Sequence, residues 1–210
     1  RMDVVPLVHR TVLFDVGDDV THAYFPHSGI ICLMAMMQTD GPAEIGTVGR
    51  EGFIGFGGLL CDAASNWRAL VQAEGLASRV EIGRLRHAVL KKPRLRELLF
   101  RYLRAYMAQT GQAVACNGYH SVRQRLCRWL LTAHDRAGQD TFELTHAVLA
   151  EMLAVRRRAT LTETACALQA GGIIEYKHGV VTIKNRRRLE ASACECYGIV
   201  RRTFDEILMA

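Results

Sequence analysis

From Pro93 onward, Leu95, Leu99, Tyr102, Tyr106, Gln109, Ala113, Cys116 and His120 recur at alternating steps of four and three. That spacing draws one stripe along an α-helix, opened by a proline where the missing N–H costs nothing. About 28 residues of helix reach roughly 40 Å, further than a small domain covers along one side. A second copy of the same helix is the natural partner. The stripe of Leu95, Leu99, Tyr102, Tyr106, Gln109, Ala113 and Cys116 is therefore read as a dimer interface, the alternative being one face of an ordinary core helix. The helix divides the 210-residue chain into 1–91, 92–120 and 121–210.

The segments on either side of the helix's start differ in charge. Residues 1–91 carry 8 Lys and Arg against 10 Asp and Glu, whereas residues 92–210 carry 19 against 11. A basic module joined to a nearly neutral one implies a polyanionic partner, and double-stranded DNA is the expected one. No apolar run reaches the roughly 18 residues of a membrane span; the longest, Gly29–Met37, is strand-sized, so no membrane partner is expected. The stretch "RMDVVPLVHR" has no signal-peptide pattern, which makes the cytoplasm the expected location. Seven cysteines at wide spacings, with no C-x-x-C, argue against a disulfide framework. The one close pair, Cys194 and Cys196, has no nearby histidine to complete a zinc site, so no metal site is assigned and the thiols are read as buried or reduced. With no nucleophile–base pair, phosphate loop or zinc signature, the chain does not read as an enzyme.

The first segment reads as β. "HAYFPHSG", "IICLMAMMQ", "AEIGTVG", "NWRALVQAEG" and "LASRVEIG" are short strand-like runs between glycine-rich turns, with Asp40-Gly41 as a hairpin signal. Such runs suggest a small barrel or roll. Beyond the long helix, Ser121–Gly138 is amphipathic, with Leu126, Trp129, Leu130 and Ala133 on its apolar face. "TFELTH" is extended, and Thr145 then caps a two-turn helix that breaks at "LAV". A further helix opens with Arg156, Arg157 and Arg158 and runs to Gly171-Gly172. "IIEYKHGVVTIKN" is a hairpin turning at Lys177-His178-Gly179. Short helix, tight turn, second helix and hairpin is the order of a winged helix-turn-helix. The expected fold class is α+β: a double-stranded β-roll, a long central dimerisation helix and a winged helix-turn-helix.

At 100° per residue, Leu161, Ala165 and Leu168 share the inner face of the arginine-led helix. Ala159 and Glu163 point outward, with Thr160 and Thr162 on the flanks. Arginine can hold guanine O6 and N7 bidentately and glutamate can accept from the cytosine amino group; flanking arginines hold phosphates. Arg158 and Glu163, with Thr162 beside them, are expected to read bases, and Arg156 and Arg157 to clamp phosphates. Thr145, His146, Thr160, Lys177 and His178 complete the expected DNA-facing set. "KNRRR" (Lys184–Arg188) reads as solvated surface.

"HSVRQRLCRWLL", "FELTHAVLAEMLAVRRRATLTETACALQAGGIIEYKHGVVTI" and the N-terminal "AYFPHSGIICLM" and "TVGREGFIGFGGLL" together resemble the Crp/Fnr family of bacterial transcription regulators, in order and over nearly the whole chain. "CECY" (Cys194–Tyr197) also recurs in one branch. The resemblance implies a cyclic-nucleotide-binding-type roll and a homodimer on a two-fold symmetric operator. It also implies RNA polymerase as a further partner. The effector pocket it implies involves Gly55, Phe56, Gly57, Leu59, Arg68 and Ala69. Three features depart from the family. Phe56 follows Gly55 where cyclic-nucleotide binders place a ribose-holding glutamate, and Arg68-Ala69 resembles their phosphate-pairing arginine at a stretched spacing; both speak against cyclic AMP and leave the cofactor unknown. The N-terminal cysteine cluster of iron–sulfur members is absent. The arginine run holds one residue more than the family pattern, which leaves the register of Arg156–Arg158 open. A thiol- or metal-responsive regulator using Cys32, Cys61 or Cys116 and a cyclic-nucleotide-responsive regulator remain as alternatives.

Overall fold

A computed structural model describes residues 2–39, 41–61 and 63–209, with the side chains of 207–209 outside the description; Asp40 of the expected hairpin turn also lies outside it. Seven strands form the first part: β1 (Asp3–Leu7), β2 (Val12–Phe14), β3 (His22–Pro26), β4 (Ile30–Met37), β5 (Gly41–Val48), β6 (Arg68–Ala73) and β7 (Gly75–Glu81). They make two antiparallel sheets, ordered β1-β7-β3 and β2-β6-β4-β5, with a short helix α1 (Phe56–Leu60) between β5 and β6. Helices α2 (Ile82–Lys91), α3 (Pro93–Tyr119) and α4 (Val122–Ala137) follow. The last part comprises β8 (Thr141–Glu143), α5 (His146–Met152), α6 (Arg158–Ala170), β9 (Ile174–Lys177), β10 (Val180–Ile183), α7 (Arg186–Ser192) and α8 (Cys196–Met209). No helix among the described residues is long and apolar enough to cross a membrane.

Strand β4 explains its own composition. A half-buried antiparallel strand alternates apolar and polar residues, whereas a strand covered on both faces is apolar throughout. Ile31 and Leu33 enter the core of the roll with Val48, Phe53 and Val71. Ile30, Cys32 and Met34 face the other way, against Leu126, Trp129 and Leu130 of α4 and the helices beyond it. All five are at most 1% exposed. One strand therefore serves two cores, and the C-terminal part packs directly on the sheet. Trp129 Nε1 donates to Glu44 Oε2 on β5 at 2.7 Å, and burial pushes the Glu44 carboxyl above its usual range.

The glycine-rich "GREGFIGFGG" is a close-packing device. A Cβ on Gly52 would stand 2.0 Å from the Tyr102 ring, and Gly55, at φ +92°, lies against the His22 carbonyl. These approaches seat Phe53 between Phe25 and Tyr102, each with ring centroids 5.1 Å away, and Phe56 at 5.1 Å from Tyr106.

The expected dimer stripe on α3 is thereby corrected. Leu99, Tyr102, Tyr106, Gln109 and Cys116 are buried within their own chain, and Leu95 and Ala113 are half-buried. The roll and the returning helix α8 supply enough surface to cover that face: Phe204 of α8 lies 6.4 Å from Tyr102, and Gln109 Nε2 donates to the Thr47 carbonyl at 3.2 Å. The core-helix alternative describes this stripe. The opposite face carries Phe100, Arg104, Met107, Gly111, Val114 and Gly118, again at steps of four and three, and all six are exposed.

Arg136, near the end of α4, joins these parts. Its Nη1 donates to the Thr47 carbonyl at 2.7 Å and to the Thr47 hydroxyl, its Nη2 donates to Gln109 Oε1, and its Nε pairs with Glu51 Oε1 at 2.8 Å. The guanidinium also lies 5.6 Å from the centre of the Phe204 ring. Arg136→Ala removes the guanidinium from the Glu51 carboxylate and from the Gln109 and Thr47 oxygens. Removing one member of a buried ion pair costs roughly 3–5 kcal/mol, so chemical denaturation should show a loss of that order. Arg136→Lys should recover only part of it, because one ammonium cannot reproduce a planar fork serving three residues.

Candidate nucleic-acid interface

The C-terminal part builds its own scaffold. Ser121 opens α4 with a full capping box: its hydroxyl accepts from the Gln124 amide, and Gln124 Oε1 accepts from the Ser121 amide at 3.0 Å. Thr145 caps α5 by accepting from the Val148 amide at 3.2 Å. Strands β8, β10 and β9 form an antiparallel sheet in that order, so the expected hairpin gains a third strand from "TFE".

The turn between α5 and α6 has no glycine. Ala154 takes φ +49°, with its amide donating to the Glu151 carbonyl and the Val155 amide to the Ala150 carbonyl. This is the Schellman pattern, whose left-handed position glycine normally occupies. The turn brings Arg157 to the N-cap of α6 and makes Arg158 its first helical residue. Leu161, Ala165 and Leu168 are buried, as the 100° rotation predicts, while Ala159 and Glu163 are exposed and Thr160 and Thr162 half-exposed.

The three arginines are exposed, and Arg157 and Arg158 make no ion pair among the described residues. Arg156 and Arg158 border a cleft of about 530 Å³ shared with Met37, Pro42 and Ala43 of the β4–β5 hairpin. Lys177 and His178 are exposed at the tip of the β9–β10 hairpin, where His178 has φ +50° and Gly179 φ +78°. The Leu144 amide donates to the Gly179 carbonyl at 2.7 Å, which holds this tip beside the start of α5. The start of α5 and the hairpin tip are thus tied together.

His146 takes a different position from the other expected DNA-facing residues. Its ring stacks on Tyr176 at 4.4 Å and 10°, and its Nδ1 is hydrogen-bonded to the Thr162 hydroxyl at 3.2 Å. Tyr176 in turn donates to the Leu144 carbonyl at 2.9 Å. His146 therefore positions α6 against the hairpin. Arg125 was not distinguishable in the sequence: buried on α4, it donates from Nη1 to Asn117 Oδ1 of α3 at 3.1 Å and to the Leu153 carbonyl of the α5–α6 turn at 3.0 Å. Nothing in its local pattern separates it from a surface arginine.

Two further expectations change. Within "KNRRR", Arg186 pairs with Asp135 at 2.7 Å and with Glu190 at 3.0 Å, and donates to the Tyr197 hydroxyl, so it is a structural tie between α4, α7 and α8. Lys184, Arg187 and Arg188 are exposed. Cys194 and Cys196 do have a histidine beside them, because the end of α3 brings His120 and Cys116 to them. The absence of a metal site, read from the sequence, does not account for this cluster.

In the roll, Gly55, Gly57 and Trp67 line a cavity of about 70 Å³ with Phe14 and Val20. Phe56 is turned into the aromatic cluster, and Ala69 is buried in the sheet. Arg68 is held bidentately by Asp15, at 2.6 and 3.0 Å, which holds the Asp15 carboxyl below its usual range. Of the six residues expected around an effector, Gly55 and Gly57 line this space, whereas Arg68 is engaged elsewhere because Asp15 lies within its reach.

Residues 124–192 match the Crp-like helix-turn-helix domain family. Solved structures share the fold of almost the entire chain at low identity. A structure of FixK2 from Bradyrhizobium japonicum is 14% identical, with 92% of this chain and 98% of that chain covered at a TM-score of 0.75. A CRP-family transcriptional regulator from Thermus thermophilus is 18% identical, covering 90% and 96% at 0.74. The c-di-GMP-responsive regulator CLP of Xanthomonas campestris is 18% identical, covering 87% and 93% at 0.70. No curated protein matches the chain by sequence.

Ala154→Gly tests the turn. A non-glycine residue in the left-handed region costs roughly 1–2 kcal/mol. The substitution should therefore raise stability by about 1 kcal/mol in denaturant titrations while leaving the fold unchanged by circular dichroism.

Proposed function

On the premise that a Crp-like helix-turn-helix domain stands on a Crp/Fnr-type fold, we propose that the chain is a homodimeric transcription regulator that reads a palindromic operator through α6. The observation that carries this reading is the run Arg157-Arg158 at the exposed start of α6. A helix N-terminus presents free amides and the positive end of its dipole, which favours phosphate, and recognition helices meet base edges with their first turns. Arg158, the first helical residue, reads a base together with Glu163 and Thr162. Arg157, outside the helix, holds the backbone, as do Thr145, Thr160, Lys177 and His178. Arg156, in the turn, contributes field rather than readout.

The dimer forms through the exposed face of α3. Phe100, Met107 and Val114 are 53%, 74% and 71% exposed, and Gly111 and Gly118 on the same stripe allow two helix backbones to approach. A heptad stripe of this kind packs against its copy. Two recognition helices related by this axis would meet half-sites about 34 Å apart, one turn of the duplex.

The roll is read as a sensor or structural module whose effector is not a cyclic nucleotide held in its interior. The cavity at Gly55 is about 70 Å³, well short of the roughly 300–1,000 Å³ of ligand pockets. Phe56 and the Asp15–Arg68 pair occupy the chemistry that a cyclic phosphate and ribose would need.

Operator selection from random DNA should yield a palindrome. Against that site, Arg158→Ala should cost roughly 1–3 kcal/mol and relax one base position, whereas Arg157→Ala should weaken specific and random DNA alike and reduce the salt slope by about 1. Full affinity and selectivity in Arg158→Ala would remove the base-reading role. For the dimer, Met107→Glu or Val114→Glu should give folded monomers by light scattering, while Tyr102→Glu should unfold the chain; a dimer persisting in both surface variants would place the interface elsewhere.

A further inference from the structure

The end of α3, the α7–α8 link and the first residue of α8 converge on one point. The Sγ atoms of Cys116, Cys194 and Cys196 and a ring nitrogen of His120 all lie within 4.8 Å of one another, the only such group among the described residues. Cys116 and His120 are four residues apart and share a face of α3. Cys116 Sγ is 3.5 Å from Cys194 Sγ, and Cys196 Sγ is 3.5 Å from His120 Nδ1. The three sulfurs are buried and form a cluster separate from both apolar cores. Buried free cysteines ordinarily behave as small hydrophobes within such a core; here they face each other and an imidazole.

The two shortest separations, 3.5 Å each, are close to those of one coordination geometry. With Zn–S of about 2.3 Å and Zn–N of about 2.0–2.1 Å, tetrahedral angles set sulfur–sulfur separations of about 3.8 Å and sulfur–nitrogen separations of about 3.6 Å. An iron–sulfur cluster places several irons and sulfides between its thiolates, which needs a wider cage. The surroundings are also those of a built site. Glu195 Oε2 lies 3.2 Å from His120 Nε2, so that the far nitrogen is held by a carboxylate while Nδ1 faces the thiols; this is the carboxylate–histidine–metal arrangement that fixes the ligating tautomer. Gln112 Nε2 donates to Cys196 Sγ at 3.0 Å. Three thiolates and a neutral imidazole around a divalent zinc leave one negative charge, and the α4 guanidinium groups of Arg125 and Arg128 act on Cys116 with the compensating sign.

We propose that Cys116, His120, Cys194 and Cys196 bind one zinc ion tetrahedrally, clamping α8 to the end of α3 where the long helix passes into the DNA-binding part. On binding, three thiols release their protons and no redox change occurs. His120 caps α3 and Ser121 opens α4, so the metal sits at the joint between the two helices. Arg125 extends the connection to the turn before α6.

The full-length protein, purified without chelators, should contain one zinc per chain by plasma mass spectrometry. Cys194→Ser and Cys196→Ser should lose it. Glu195→Gln, which leaves all four ligands in place, should weaken zinc affinity roughly 10–100-fold, an effect that a merely packed thiol cluster would not show. Because the cysteine variants could fold poorly, cobalt(II) added to the metal-stripped wild-type chain gives a second measurement: the intense ligand-field bands of tetrahedral cobalt with thiolate charge-transfer absorption. Removing the metal should raise hydrogen exchange in α8 and in the last turns of α3. A folded wild-type chain that takes up neither zinc nor cobalt would overturn the site. So would a Cys116–Cys194 disulfide in the purified protein, or stoichiometric iron with acid-labile sulfide.

Discussion

The arrangement of this molecule depends on one buried guanidinium. Arg136 comes from the helix that scaffolds the DNA-facing part, yet its partners are Thr47 and Glu51 of the roll and Gln109 of the long helix. A buried arginine is costly unless each donor finds an acceptor. Three separate elements must therefore arrive in register before the interaction becomes favourable. The requirement acts as a lock on orientation: any rotation of the C-terminal part relative to the roll would strand both the charge and the Glu51 carboxylate.

Around that lock, surfaces do two jobs at once. Strand β4 closes the core of the roll with one face and the core of the helical part with the other. Helix α3 gives one face to the roll and to α8 and leaves the opposite face apolar and exposed. The chain thus builds its DNA-facing part on the sheet rather than at the end of a tether. Arg125 connects the end of α3 to the turn that sets the direction of α6.

Much of the helix-turn-helix was legible in the sequence. Its signals are local: Thr145 at a cap, a 3.6-residue spacing of Leu161, Ala165 and Leu168, paired glycines after α6, and a hairpin turn at His178-Gly179. The left-handed Ala154 was not legible, since alanine carries no signal for that conformation and only the demand of two packed helices imposes it. Arg186 in "KNRRR" looked like a solvated charge because its partners Asp135 and Tyr197 come from other helices. Arg68 looked available to a phosphate because Asp15 is 53 residues away along the chain.

The sequence by itself determined which residues share a face, since helix and strand periods depend only on backbone geometry and side-chain spacing. It therefore specified the long helix, the β-rich first segment and the arginine-led helix α6. Tertiary structure alone decided what each face meets. Two stripes on α3 carry the same four-and-three spacing, and periodicity cannot say which one the roll will cover. Cys116 and Cys194, 78 positions apart, became neighbours only when α8 folded back. Contacts between distant segments are set by how whole elements pack, and that is information no local pattern contains.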